Sequence, residues 1–251
     1  MAKSAGILDA TRNLTQPFYP FIPTGTASSS LVPILHPRDF VFTKLGRGFS
    51  VLQEHQLHNT DWETTQQLCE IIDSIGSYTV IVNDYCSGSL RTRDLSLIAN
   101  RRNALQHRLL SLPPQPQLQP PDKTCIPFYE LSRLATIIYS LIAVFPLPKR
   151  TAPFAALAQL IKEKLSAIDV SKATRSQREL LLWIATMAAL AALALPERSW
   201  FVSSVDAASR SLAIHDSNSA RDLLENFLWY GPTSNVDLEE LWREIEQPRA
   251  T

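Results

Sequence analysis

The feature that most constrains the fold is the uncharged stretch from Leu180 to Leu195, which mixes alanine with large aliphatic residues and has no polar face. A helix that is apolar on every side must be enclosed, because it would otherwise leave a large adhesive surface. The stretch is shorter than the roughly 18 apolar residues that indicate a transmembrane helix. Ser176 to Glu179 has the form of a capping box before it, and Pro196 ends it. The sequence therefore predicts a buried central helix.

Amphipathic helices are predicted around this stretch. Apolar residues recur at helical spacing over residues 94–112, 126–145, 154–168, 199–214, 219–229 and 237–246. Gly231-Pro232 is interpreted as a helix stop. Tyr78 to Val82 resembles a strand, but it fits the continuation of a preceding helix equally well, and one strand does not make a sheet. The predicted fold class is all-α, an irregular bundle of about seven or eight helices around the alanine-rich helix.

The N-terminal part of the chain differs from the rest. Residues 1–60 are rich in proline, glycine and serine, which predicts an extended or partly disordered segment. Residues 61–251 are predicted to form the helical domain, interrupted by a proline-rich loop at about 113–124. Leu45 to Val51 echoes the glycine-rich loop of protein kinases, but the other kinase motifs do not follow, which favours a simple glycine turn.

Composition excludes several functions. Lys+Arg and Asp+Glu are balanced at 24 each, so no net field attracts nucleic acid or an anionic membrane. Cys69, Cys86 and Cys125 are widely spaced, which indicates neither a disulfide framework nor a zinc module. The first residues contain no signal-peptide run, so the chain is not expected to be secreted. We expect no catalytic residues, no cofactor, no metal and no membrane contact.

Two clusters of polar residues are candidate sites. His55, His58 and Asp61 have a spacing that brings metal ligands together on a helix, but their polar surroundings favour solvated side chains. Arginines are dense between residues 91 and 108, without the interleaved aromatics that nucleic-acid stacking needs. Arg102 falls within the apolar stripe of its helix, so it is predicted to be paired with a carboxylate or carbonyl group.

Aromatic residues are concentrated near the C-terminus and leave two interpretations open. They either fill the seam between the last helices or form a partner or ligand surface, since aromatic side chains are enriched at binding hot spots. The residues of this candidate surface are Trp200, Phe201, Trp229, Tyr230 and Trp242.

A family resemblance rests on the order of several segments. Arg102 to Pro113 is followed by a proline-rich break and by an apolar helix from Tyr129 to Phe145. Leu181-Leu182-Trp183, Pro196 to Phe201, Leu223 to Trp229 and Leu241-Trp242 then follow in that order. Over roughly residues 62–246, this arrangement resembles the fungal-specific transcription factor domain, which is the C-terminal regulatory domain of fungal zinc-cluster transcription factors.

The resemblance implies an all-α regulatory domain. In the family this domain follows a six-cysteine cluster that binds two zinc ions and reads DNA. The present chain has three cysteines, none in that array, so specific DNA binding is not expected of it. The implied role is gene regulation in the nucleus or cytoplasm, through a protein partner (a zinc-cluster factor or a second copy) or a small-molecule effector in an inter-helical pocket. The alternative is an enzyme that evolved on the same scaffold, with an inter-helical active site.

The missing cysteine array and the balanced charge generate the first prediction. The purified chain should contain no stoichiometric zinc and should give no sequence-selective shift with duplex DNA. Elemental analysis and a gel-shift assay at moderate salt measure these two properties. Either a molar equivalent of zinc or a selective shift would contradict the expectation.

Overall fold

The computed structural model describes residues 46–54, 62–89, 95–114, 128–148 and 151–247. Within these ranges the chain forms α-helices and turns and no strand, which confirms the all-α prediction. The helices are α1 (Val51–Glu54), α2 (Trp62–Cys86), α3 (Leu95–Ser111), α4 (Phe128–Tyr139), α5 (Ala152–Ser166), α6 (Arg175–Ala191), α7 (Arg198–Ser211), α8 (Ser217–Leu224) and α9 (Gly231–Glu246). A 3₁₀ turn, Arg47–Ser50, leads into α1, and a π-helical turn, Ser140–Val144, extends α4.

Helix α6 is the centre of the described fold, as its apolar sequence predicts. Every residue from Leu180 to Ala192 is buried. Helices α4, α5, α7 and α9 pack against α6, together with α1 and the 3₁₀ turn before it. Because many of the buried positions are alanine, these neighbours approach closely, and most of the apolar area comes from larger side chains such as Trp183 and Ile184. The helix ends at Ala191, and the residues before Pro196 form turns.

The start of α6 corrects the predicted capping box by two residues. The N-cap is Thr174 and not Ser176. The Thr174 hydroxyl accepts from the Gln177 backbone N–H at 3.3 Å, and the Gln177 side chain accepts from the Thr174 backbone N–H at 2.8 Å. Thr174 has a glutamine three residues later, which is the spacing that this reciprocal pair of bonds needs.

The segment from Tyr78 to Val82 is helical. It belongs to α2, and the Thr79 hydroxyl donates to the Ile75 carbonyl at 3.0 Å, one turn earlier. Tyr78 and Val80 are buried against the core. β-branched residues favour strands only weakly, and packing of an apolar helical face overrides that preference.

Gly231-Pro232 begins a helix and does not stop one, which corrects the sequence interpretation. Proline suits the first turn of α9, because an N–H at that position has no partner within the helix anyway. The preceding helix α8 is correspondingly short and ends at Leu224, so residues 225–230 connect the two helices.

The N-terminal boundary also needs correction. Residues 46–54 fall in the segment predicted to be extended, yet they form the 3₁₀ turn and α1. Phe49, Val51 and Leu52 of this segment are buried in the same core as α6. The helical domain therefore begins no later than Gly46. Residues 1–45 and most of the predicted proline-rich loop lie outside the described residues.

The enclosure of α6 generates the second prediction. Ala188 and Ala189 are fully buried, so Ala188→Leu or Ala189→Leu should overpack the site and lower the free energy of unfolding by roughly 1–3 kcal/mol. Urea unfolding followed by circular dichroism measures the change. Ala207→Leu is the matched control, because Ala207 lies on the exposed face of α7. An unchanged stability in both buried variants would show that α6 is not enclosed in the isolated chain.

Candidate functional site

Three of the five aromatic residues of the candidate surface are core residues. Phe201, Trp229 and Trp242 are 0%, 4% and 3% exposed. The Trp229 indole N–H donates to the Asn235 side-chain oxygen at 2.9 Å, within the turn that begins α9. For these three residues the seam-filling interpretation holds, because a buried ring offers no area to a partner.

The other two residues of the candidate surface are partly exposed and lie in different surroundings. The Trp200 ring packs edge-on against Phe201 with 5.0 Å between ring centroids, and the Lys162 ammonium lies 6.0 Å from its centroid. Tyr230 precedes α9, and burial raises the pKa of its phenol, with a smaller contribution from the charge of Cys86 at the end of α2. The five residues therefore do not form one continuous binding surface.

A different aromatic cluster lies beside α6 and was not predicted. Phe49, Trp183 and Phe227 come from the 3₁₀ turn, from α6 and from the connection between α8 and α9. Trp183 and Phe227 stack with 5.8 Å between their ring centroids. Phe49 meets both rings edge-on, at 4.9 Å from Trp183 and 5.3 Å from Phe227. Edge-to-face and stacked contacts of this kind add about 0.5–1.5 kcal/mol per pair beyond the area buried.

Gly48 makes this cluster possible. A Cβ atom added at Gly48 would lie 2.3–2.6 Å from atoms of the Phe227 ring, closer than any side chain tolerates. The Gly48 backbone N–H donates to the Asn226 carbonyl at 2.9 Å, which fixes the turn against the α8–α9 connection. Gly46, two residues earlier, has a left-handed φ of 92°. The two glycines of the kinase-like motif thus allow the 3₁₀ turn to pack closely on the core. The apolar pattern of Phe49, Val51 and Leu52 directly after them is the signal that could have indicated it.

One ion pair joins two helices of the bundle, and another lies buried within a single helix. Arg198 at the start of α7 forms a bidentate contact with Glu244 of α9, at 2.6 Å for the shortest N–O distance. Arg133 contacts Glu130 in α4 through two hydrogen bonds of 2.8 Å, and both side chains are at least nine-tenths buried. Such pairs are costly to break singly, because the remaining charge would be left buried.

Two buried groups that ionise by losing a proton are held in their neutral forms. Burial raises the pKa of the Cys69 thiol to about 11, and that of the fully buried Tyr139 phenol also rises strongly. The Tyr139 hydroxyl lies 2.9 Å from the Thr79 hydroxyl, which itself donates to a backbone carbonyl. At neutral pH, therefore, Cys69 is a poor nucleophile and Tyr139 is not a base.

The arginines of α3 lie in different surroundings. The Arg102 guanidinium lies 4.6 Å from the centroid of the Phe145 ring, and its Nε donates a long hydrogen bond of 3.4 Å to the Asn103 side chain. The sequence predicts a carboxylate or carbonyl partner for Arg102. In the structure its main contact is the face of the Phe145 ring, and the Asn103 side-chain oxygen is a weaker partner. Arg108 is 4.0 Å from Glu70, and burial lowers the pKa of Arg101.

His55, His58 and Asp61 lie outside the described residues. Among the residues that are described, no three His, Cys, Asp or Glu side chains gather as metal ligands would. None of the helices in this part of the chain combines the length and apolarity that crossing a bilayer requires.

Comparisons with known proteins give no assignment. No protein-family model matches the chain, and no significant match exists to a curated protein or to a solved structure.

The environment of Cys69 generates the third prediction. With a pKa of about 11, roughly one Cys69 thiol in a thousand is ionised near pH 8. In a chain carrying Cys86→Ser and Cys125→Ser, Cys69 should therefore react with a thiol reagent only after urea unfolding. The matched chain that keeps only Cys86, which is exposed, should react at once. Rapid reaction of Cys69 in the folded chain would contradict its described burial.

Proposed function

We propose that this chain is a transcription-factor-like regulatory domain that lacks a DNA-binding module of its own and acts through protein contacts. The observation that carries the proposal is the convergence of the segments that resemble the fungal-specific transcription factor domain. Trp183 in α6, Phe201 in α7, Phe227 before α9 and Trp242 within α9 come from four of these segments, and all four are buried in one core. The segments that carry the resemblance thus supply large side chains of the core, which specifies the fold.

The state of the buried polar groups favours a binding role over the alternative, an enzyme. Burial holds Cys69 and Tyr139 in their neutral forms, and the Arg133 and Glu130 side chains neutralise each other. A general base or nucleophile needs a pKa close to the working pH, and for Cys69 and Tyr139 burial moves the pKa the other way. Buried groups that are neutral or paired stabilise the fold, which is what a domain that binds partners through its surface requires.

The balanced charge supports contact with proteins and not with nucleic acid. Lys+Arg equals Asp+Glu, and two arginines of α3 are engaged with Phe145 and Glu70. A regulatory domain of this kind would reach a promoter through a zinc-cluster factor that binds DNA. A second copy of the chain is the other expected protein partner.

The fourth prediction tests this role by tethering. The full chain, fused to a heterologous DNA-binding domain in a fungal host, should change transcription of a reporter that carries the matching operator. Ala188→Leu should weaken the effect because it disturbs the core, whereas Ala207→Leu should preserve it because Ala207 is exposed. Immunoblotting controls for protein level. A wild-type fusion that leaves the reporter unchanged at normal abundance would refute the proposal.

A further inference from the structure

Residues 46–54, hereafter the docking turn, pack on the rest of the domain through one face. Phe49, Val51 and Leu52 are 3%, 2% and 4% exposed, whereas Arg47 and Ser50 point to solvent. The docking turn combines the 3₁₀ turn and α1, and both of its ends continue into residues outside the described ranges. It therefore has the form of a short amphipathic ligand held by a groove.

The groove selects for a particular chemistry. Phe227 stacks on Trp183, and the pair receives the Phe49 ring edge-on. Next to this ring the groove tolerates only glycine, because a Cβ at position 48 would lie 2.3 Å from a Phe227 carbon. The aliphatic side chains of Val51 and Leu52 complete the buried face. The recognised pattern is glycine, phenylalanine, any residue and two aliphatic residues.

The docking turn is held by apolar packing and by polar contacts with other elements. The Gly48 N–H bond to the Asn226 carbonyl is a backbone bond between the docking turn and the remaining described residues. The Gln53 side chain forms a hydrogen bond with the Cys69 thiol of α2. Ring and aliphatic packing supplies further contacts, which any segment with the same apolar pattern reproduces. Covalent attachment gives the docking turn a high effective concentration at the groove, so a competing segment has to displace it.

We propose that the groove formed by Trp183, Phe227 and the α8–α9 connection is a peptide-binding site for helical turns of the Gly-Phe-x-aliphatic-aliphatic pattern. The docking turn occupies the site as an intramolecular ligand and keeps it closed. A partner protein that carries the same pattern binds once the docking turn leaves. This inference deepens the proposed function, since it names the surface and the chemistry of the protein contact.

The experiment opens the groove in the full chain with Gly48→Ala. The added methyl clashes with Phe227, so the docking turn should detach while the helical bundle keeps its circular dichroism spectrum. Gly76→Ala is the matched control, because the nearest atom to its Cβ is a Leu228 methyl at an ordinary 3.8 Å. Trypsin should cleave after Arg47 faster in Gly48→Ala than in Gly76→Ala or in the wild-type chain.

The probe is a fluorescent synthetic peptide with the sequence of residues 44–56. It should bind the Gly48→Ala chain and bind the wild-type chain at least about tenfold more weakly, because the attached docking turn competes. A peptide carrying Phe49→Ala should bind the open chain at least about tenfold more weakly than the original peptide, since it lacks the buried ring.

A second variant covers the case in which Gly48→Ala does not fold. A specific protease site placed between residues 55 and 61 of the full chain allows the docking turn to be cut free after folding. The cleaved protein should stay folded on dilution and bind the fresh peptide. Unfolding of the cleaved protein, or failure of the open chain to bind the peptide, would overturn the inference. Neither result depends on the reporter assay, so the two proposals fail separately.

Discussion

An uncharged helix with no polar face is stable in water only when other elements surround it, and the rest of this structure depends on that constraint. Helix α6 satisfies it with neighbours on all sides: α4, α5, α7, α9 and the docking turn. Its alanines permit short distances between helix axes but bury little area individually. The bundle is consequently stabilised by the larger side chains around α6, and a neighbour that retreats exposes apolar surface.

The docking turn is the shortest of the described neighbours of α6, and it also contacts α2. It is short, it makes a backbone hydrogen bond to Asn226, and its position depends on the absence of a side chain at Gly48. An isolated helical turn has little stability of its own, so its conformation is a consequence of docking. The docking turn helps to enclose Trp183, and segments that depend on docking for their conformation are the ones that open at low free energy.

Charged side chains make few contacts within the described core of this molecule. The Arg198–Glu244 pair joins α7 to α9, and the buried Glu130–Arg133 pair stays within α4. Arg102, on an otherwise apolar stripe, is accommodated by the face of Phe145. These contacts offset the desolvation free energy of charged side chains that lie near the core.

The sequence by itself determined the helical class, the central place of α6 and most helix positions, because these follow from the local period of apolar residues and from prolines. The sequence predicted helix boundaries wrongly where two local interpretations fit equally well. Gly231-Pro232 reads as a stop or a start, and Thr174 and Ser176 both precede possible capping partners. Only the tertiary structure decided that residues 46–54 belong to the core, that Phe201, Trp229 and Trp242 are buried, and that Phe49 meets Trp183 and Phe227. Those contacts join residues far apart in the chain, and no local pattern records which distant rings will share one groove.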